Sequence, residues 1–377
     1  MPIADVVVVG AGPAGASCAL ELVRRGFEVT IVERAQFPRT KVCGEYLNAG
    51  AIDALDALVL GQRVRSLARP LRGVRLAPLG VDALDLCFSE AALSLERRTL
   101  DAVILDAAVT AGATLVRARV DDVEFANGRA CGVIVRDDAG AERTIGARCI
   151  VGADGIGSAV GRKLGLVRPA RGRARFAVGG HYRGFGDLGE RVEMYVGGGT
   201  YLALNPLGAG LANVMLVVYG EELAAWAADV DAGIHAAAAR LSRGSRSLES
   251  AERIGARMSI GPLDFDVRGV ARSGALLAGD AGGFVNPFTG QGVALALRGG
   301  IDAGRTIGRA LDAPASEAKL FAAYERRRFG DLAKRRRVAR LVDGLLAFTP
   351  LTRGVARGLR GDPRLAARMM ALIAGAA

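Results

Sequence analysis

Residues 5–33 constrain the chain more than any other stretch. They read Asp5-Val-Val-Val-Val-Gly-Ala-Gly-Pro-Ala-Gly15, a helix-like run to Arg25, then Gly26-Phe-Glu-Val-Thr-Ile-Val-Glu33. The β-branched run 6–9 has the pattern of a strand buried on both faces. Gly10, Gly12 and Gly15 follow at once in G-x-G-x-x-G spacing. The first permits the tight turn, the second lets the backbone approach a pyrophosphate, and the third lets the helix pack on the strand. A helix from about Pro13 to Arg25 aims its free N–H groups at that phosphate. Glu33 ends the second strand, in place to accept hydrogen bonds from an adenosine ribose. The spacing predicts dinucleotide binding, and the glycines alone do not separate FAD from NAD.

The 377 residues allow two or three domains and a large core. No apolar run is long enough for a membrane span. The chain enters its first strand at once, leaving no room for a signal peptide, which points to the cytoplasm. Cys18, Cys43, Cys87, Cys131 and Cys149 lie far apart and make no C-x-x-C, which argues against zinc or a disulfide framework. His181 and His235 are the only histidines and read as ordinary surface or core residues. The net charge of +11 admits an anionic partner. Basic residues with interleaved aromatics are absent, so nucleic acid is not expected.

Along the chain, Pro38 and Gly44 mark a loop over residues 34–48, and residues 49–60 look helical. Residues 71–88 read as a hairpin turning at Pro78-Leu79-Gly80. Leu100, Val103, Ile104, Ala107 and Ala108 form one stripe of a helix. Short strands follow near 115–118, 120–125, 130–136 and 143–150. Strand candidates at 176–182, 192–196, 201–204 and 211–219 fit an antiparallel sheet. Residues 221–241 read as one helix carrying Trp226, with another strand near 257–260. From Leu311 the tail is helical and carries fourteen Lys/Arg against six acids. Its densest runs are Arg326-Arg-Arg328 and Lys334-Arg-Arg-Arg337. These are solvated helix faces or a contact for an acidic carrier protein or a peripheral membrane surface. Leu365, Met369, Leu372 and Ile373 pack a terminal helix onto the core or over a greasy channel.

Two further motifs are Gly152-Ala-Asp-Gly-Ile-Gly-Ser158, after a strand, and the stretch from Ala278-Gly-Asp-Ala-Gly-Gly-Phe-Val-Asn-Pro-Phe-Thr-Gly-Gln-Gly292, before a helix. With the first motif they resemble the FAD-dependent aromatic hydroxylase superfamily, the p-hydroxybenzoate hydroxylase fold, and within it the geranylgeranyl reductase-like branch. The resemblance covers roughly residues 3–310. It implies an α/β (α+β two-domain) flavoprotein: a Rossmann-like FAD domain, a mixed β-sheet substrate domain and a helical C-terminal tail. The FAD domain would comprise residues 1–70, 97–165 and 268–310, the substrate domain 71–96 and 166–267, and the tail 311–377.

The cofactor positions are then Gly10, Gly12, Pro13, Ala14 and Gly15, with Glu33 and Arg34. Gly279 and Asp280 follow a strand, where the Asp280 carboxylate can accept from ribityl hydroxyls. Gly282 and Gly283 keep the backbone close to the pyrophosphate. Asn286-Pro287-Phe288 would wall one flavin face. Gly290, Gln291 and Gly292 open a helix to about Arg298 whose N–H groups favour an anionic flavin edge. By resemblance, Arg98 in Arg98-Thr-Leu-Asp101 meets FAD, and Asp154 links FAD to NAD(P)H binding. The family has a basic residue where this chain has Gly161, with Arg162 and Lys163 next to it. In Lys41-Val-Cys-Gly-Glu45, Cys43 and Gly44 match a flavin-side pair. Cys43 is a candidate flavin-side thiol or proton donor and Glu45 a candidate general acid/base. A loop clasping FAD through backbone atoms is the alternative for both. Residues 201–213 resemble the strands lining the substrate cavity, with Tyr201 and Pro206 kept and the Trp and Phe positions aliphatic.

The resemblance implies an FAD-dependent oxidoreductase with NADPH or NADH as reductant and an apolar or aromatic small-molecule substrate. Hydroxylation through a C4a-hydroperoxide is favoured over double-bond reduction, because the reductase aromatic motif is degraded. A non-catalytic FAD-fold scaffold is the remaining alternative. The Trp-x-Trp-x-Ile-Pro signature of halogenases is absent from the sequence, so halogenation is rejected.

Overall fold

The computed structural model describes residues 3–169, 174–184, 188–226, 228–242, 251–285, 287–347 and 349–374. The predicted opening strand, Ala4–Val9, lies at the centre of an eight-stranded sheet. Val29–Glu33 and Glu142–Gly152 flank it in parallel, and Thr114–Arg117 and Ala275–Leu277 extend it in parallel outward. Parallel strands need covered faces. Here Pro13–Val23, Arg97–Thr110 and Gly292–Asp312 are among the helices of this domain, and Val6, Val7 and Val8 are fully buried. The strands Arg119–Ala126 and Arg129–Arg136 hang from Glu142–Gly152 as the antiparallel meander that their turn residues predict.

The second sheet runs Glu252–Ile260, Arg175–Arg183, Leu211–Tyr219, Thr200–Gly208, Arg191–Gly197, Arg69–Pro78, Leu84–Ser94, Tyr46–Leu47. It is antiparallel except where Arg191–Gly197 meets Arg69–Pro78 in parallel. One face carries Val178, Leu202, Leu204, Val214, Leu216 and Val218 and packs under Ile234, Ala238 and Leu241 of the helix Val230–Ser242. The other face looks toward the first domain. The chain crosses between the domains twice in a short ribbon, Val167–Pro169 against Phe265–Val267.

Several boundaries differ from expectation. Tyr46–Leu47 lies in the segment assigned to the FAD domain, yet it pairs with Leu93 and Ser94 in the second sheet. Residues 221–241 form two helices, Gly220–Ala225 and Val230–Ser242, with Trp226 capping the first. The ring of Trp226 lies against Gly233 and folds the pair together. The helix expected to stop near Arg298 runs to Asp312, so the domain boundary placed at 310 falls inside it. The basic tail is not a separate surface layer. Glu317–Ala347 turns Arg328, Arg335 and Arg336 inward onto residues 279–291, and Leu332 packs on Gly283. Ala356 and Leu359 of Thr349–Gly361 and Met369 of Pro363–Ala374 cover Leu71, Val74 and Leu86 of the second sheet. The side chains of Leu372 and Ile373 lie outside the described residues. Among the described residues, no helix is long and apolar enough to cross a membrane.

The contact between Pro13–Val23 and Gly292–Asp312 depends on small residues: a Cβ on Gly300 would stand 2.1 Å from the Ala14 carbonyl oxygen. Gly300→Ala should therefore lower stability by about 1–3 kcal/mol. Gly330→Ala, where a Cβ meets nothing within 4 Å, should raise it by about 0.5–1 kcal/mol. Thermal denaturation of both variants checks the pair, and equal effects would contradict this packing.

Candidate functional site

The glycines of the first motif divide by what surrounds them. A Cβ on Gly15 would collide with the Gly10 carbonyl oxygen, and one on Gly10 with the Ala153 carbonyl oxygen. Both positions are closed by the protein itself, and Gly10 also takes φ +99°. Gly12 is different: among the described residues, its Cβ position meets only the Arg39 guanidinium within 4 Å, at 3.5 Å. Space for a ligand thus opens between the N-terminus of Pro13–Val23, whose residues Pro13 and Ala14 are buried, and a basic loop. The Glu33 carboxylate lies behind the turn and accepts from the N–H groups of Ala11 at 2.8 Å and Ala35 at 2.9 Å. It holds the turn in shape beside any ribose contact. Arg34, next in the chain, is exposed.

The basic loop carries Arg39 and Lys41. Arg39 pairs with Asp101 at 3.2 Å, and Arg97 grips Asp101 with two hydrogen bonds of 2.7 and 2.8 Å. By resemblance, Arg98 beside Asp101 is the expected partner of the flavin. The structure places Arg98 at the exposed helix face and buries Arg97 instead. Three- and four-residue spacings both bring side chains together on a helix, and here Arg97 and Arg39 occupy Asp101. Lys41 is held below its usual range by burial and by Arg39 and Arg97, with Asp280 opposing. Burial pushes the Asp280 carboxyl up, and Arg328, Lys41 and Arg97 work against that. Arg34, Arg39, Lys41, Arg97 and Arg328 thus converge on a site whose nearby acids are Glu33, Glu45, Asp101 and Asp280. That surplus of positive charge, with the open space at Gly12, fits the pyrophosphate and ribityl chain of FAD.

The third motif forms the opposite wall. Gly279 takes φ +60°, and a Cβ there would meet Ala14. Its carbonyl accepts from Arg328 at 2.7 Å. Gly283 takes φ +131°, and Leu332 of the basic helix stands 2.6 Å from its Cβ position. Gln291 caps the helix Gly292–Asp312, and its side-chain oxygen accepts from Arg335. Gly290, at φ +64°, lies against the Tyr46 ring, while Gly292 faces open space. Pro287 is exposed, Phe288 is half-buried, and Asn286 lies outside the described residues. Asp154 is half-buried and braces the start of the helix Ala159–Lys163, accepting from Ser158 Oγ at 2.5 Å and from the N–H groups of Ala159 and Val160.

Above this cradle the second sheet presents three rows in register. Ala177, Val217, Tyr201 and Val196 form an apolar row. Gly179, Met215, Ala203 and Met194 form the next, and His181, Asn213 and Asn205 a polar one. The apolar row packs with Val42, Ile156, Phe284 and Phe288 of the first domain, and Tyr201 meets Phe288 edge-on at 5.4 Å. The polar row closes on Glu45. Asn205 Nδ2 donates to the carbonyls of Gly44 at 2.8 Å and Glu45 at 2.9 Å. The Glu45 carboxylate, 2% exposed, accepts from the Arg97 N–H at 2.9 Å and Asn213 Nδ2 at 3.1 Å, and lies 2.7 Å from His181 Nε2. His181, read as ordinary from the sequence, is therefore part of the site. Cys43 Sγ accepts from the Glu45 N–H at 3.3 Å and feels the charge of Arg97. Burial pushes its thiol up, against the pull of Arg97.

Two outcomes are expected. Gly12→Val should fill the open space and lower the flavin content of the purified protein at least about tenfold. Unchanged flavin content would contradict the placement. The hydrogen bond to Glu45 raises the His181 pKa, against desolvation. The stability it contributes is present in full below about pH 6.5 and is lost as pH rises through the raised folded value. Denaturation at several pH values should show that decline, and Glu45→Gln should remove it at a cost of about 1–3 kcal/mol.

Comparison with known proteins agrees with this geometry. A family described as FAD binding domain matches residues 3–336. The menaquinone reductase of Mycolicibacterium smegmatis is 30% identical over 79% of this chain and 74% of its own length. The digeranylgeranylglycerophospholipid reductase of Methanothrix thermoacetophila is 29% identical over 86% and 82%. In fold, the chain superposes on the flavin-dependent brominase Bmp2 with TM-score 0.85, at 22% identity and covering 99% of this chain and 94% of the other. A geranylgeranyl bacteriochlorophyll reductase-like protein of Thermoplasma acidophilum gives TM-score 0.80 at 20% identity, covering 99% and 92%. With relatives that are reductases, the scaffold alternative falls. The chain belongs to the FAD-binding-domain family, in its geranylgeranyl reductase-like branch, and is an FAD-dependent oxidoreductase.

Proposed function

We propose that the protein reduces a carbon–carbon double bond in an apolar, isoprenoid-like substrate, with NADPH or NADH as the source of reducing equivalents. The observation that carries this reading is the placement of Cys43. Its sulfur lies in the loop that borders the FAD cradle, accepts from the Glu45 N–H, and feels the positive charge of Arg97. A thiol there is placed to give a proton, and the same two groups would hold the thiolate left behind. The names of the relatives, reductases of menaquinone and of a geranylgeranyl lipid, support the same choice over the hydroxylation favoured from sequence.

Bound FAD would supply the hydride equivalent. Gly12, Arg39, Arg97, Asp280 and the N-terminus of Gly292–Asp312 would hold and orient it. The apolar row of Ala177, Val217, Tyr201 and Val196 with Phe288 would exclude water and seat the substrate chain. Cys43 would move the proton. Hydroxylation stays as a second reading because aliphatic residues beside Tyr201 replace the aromatic pair expected of reductases. The Bmp2 likeness is one of fold and carries no halogenating activity. Lys334, Arg337 and Leu341 are exposed on the outward face of the basic helix, so contact of the tail with an acidic carrier or a membrane surface also remains a proposal.

The test is an anaerobic single turnover of dithionite-reduced protein with a geranylgeranyl phospholipid or menaquinone, the product read by mass. Saturation of a double bond is expected, and Cys43→Ser should slow it by about 100-fold with flavin content unchanged. Saturation at an undiminished rate in Cys43→Ser would overturn the role of the thiol. A hydroxylated product under oxygen, with none saturated, would overturn the reading.

A further inference from the structure

Glu45 combines three properties that are costly separately. It takes the left-handed conformation at φ +57°, buries a carboxylate, and stands beside the thiol to which the proposed function gives a proton. The surrounding protein supports all three. The Glu45 carbonyl accepts from the Leu95 N–H at 3.1 Å and from Asn205 Nδ2 at 2.9 Å. The carboxylate is shared by Arg97 N–H, Asn213 Nδ2 and His181 Nε2. Both oxygens of that carboxylate are taken up by these three partners. What the anchored residue does present is its own N–H, to Cys43 Sγ.

We propose that His181 and Glu45 act together as a charge-compensated support for Cys43: the imidazolium offsets the Glu45 carboxylate, and the anchored Glu45 backbone holds the sulfur in place. The inference rests on the reading of Cys43 as proton donor. When Cys43 acts, its S–H bond breaks, the proton goes to the substrate carbon, and the electron pair stays on sulfur. Arg97 and the Glu45 N–H stabilise that thiolate. The Glu45 carboxylate opposes it, because like charges in a poorly solvated site disfavour one another. A positive His181 cancels this opposition. The charged groups facing His181 are Glu45, Glu96 and Arg98, and the Arg253 side chain from the edge strand lies over its neighbour Gly180. His181 and Glu45 are thus positioning residues. They act through Cys43 and touch no reacting atom.

The proposal separates charge from mere scaffolding. The rate of iodoacetamide alkylation of Cys43 is followed against pH in the full-length flavoprotein, peptide by peptide. The exposed Cys87 serves as internal control. His181→Asn leaves the carboxylate uncompensated and should slow Cys43 alkylation about threefold to tenfold near pH 7. Glu45→Gln removes the carboxylate together with the charge it sustains on His181, keeps hydrogen-bonding capacity, and should leave the rate within about twofold of the unsubstituted protein. If His181→Asn does not fold, His181→Gln takes its place. Slowing in His181→Asn but not in Glu45→Gln, with Cys87 unchanged, supports the proposal. Slowing in both, slowing in neither, or a Cys43 that never reacts in any of the proteins would overturn it. Because alkylation needs no turnover, a wrong support shows here with double-bond reduction intact. A wrong reading of Cys43 shows instead as full reduction by Cys43→Ser.

Discussion

The two domains meet through the hydrogen bonds of one buried carboxylate. Glu45 belongs to the loop leaving the first domain, yet Asn213 and His181 of the second sheet and the Arg97 N–H of a first-domain helix all bind its oxygens. An unpaired buried carboxylate is expensive, so these donors must arrive together or the loop cannot close. Closing it places Gly44 at the open cradle and Cys43 against Arg97. It also sets the sheet of Tyr201, Met215 and Asn213 over that cradle in one register. The site is thus a consequence of how a single charge is satisfied.

Around that point the electrostatics are graded. Arg39, Lys41, Arg97 and Arg328 gather where a diphosphate and ribityl chain would lie, and Asp101 neutralises part of that charge from within the protein. The basic helix contributes from behind. Arg328 holds the Gly279 carbonyl, and Arg335 holds Gln291, so part of the tail's charge organises the cofactor loop. On the far side the sheet turns apolar within two rows, from His181–Asn213–Asn205 to Ala177–Val217–Tyr201. Polar groups at one end and an apolar floor at the other suit a reaction that needs a proton at one point and dryness elsewhere.

Much of the fold was legible because it is written in local periodicity. The β-branched runs at 6–9 and 29–33, the turn residues of the meander, and the strands 176–182 and 211–219 each announced themselves within a few residues. The glycine motifs were legible for the same reason, since each encodes a backbone conformation or a close approach. What escaped notice depended on distance or direction. His181 lies 136 residues from Glu45, and no local pattern says that the two will face each other. Arg97 and Arg98 differ by about 100° around a helix, and both stand at a spacing that can reach Asp101, so only the fold shows which of the two is buried. The inward arginines at 328, 335 and 336 read as a solvated charge run because composition does not show which face of a helix is covered.

The central claim is that this flavin site serves reduction, with a thiol as proton donor, and not oxygen activation. Mixing anaerobically reduced protein with oxygen and following the flavin absorbance tests it most directly. Slow reoxidation without product hydroxylation, unhurried by an apolar polyprenyl substrate, is the predicted result. Rapid reoxidation coupled to hydroxylation of that substrate would contradict the account.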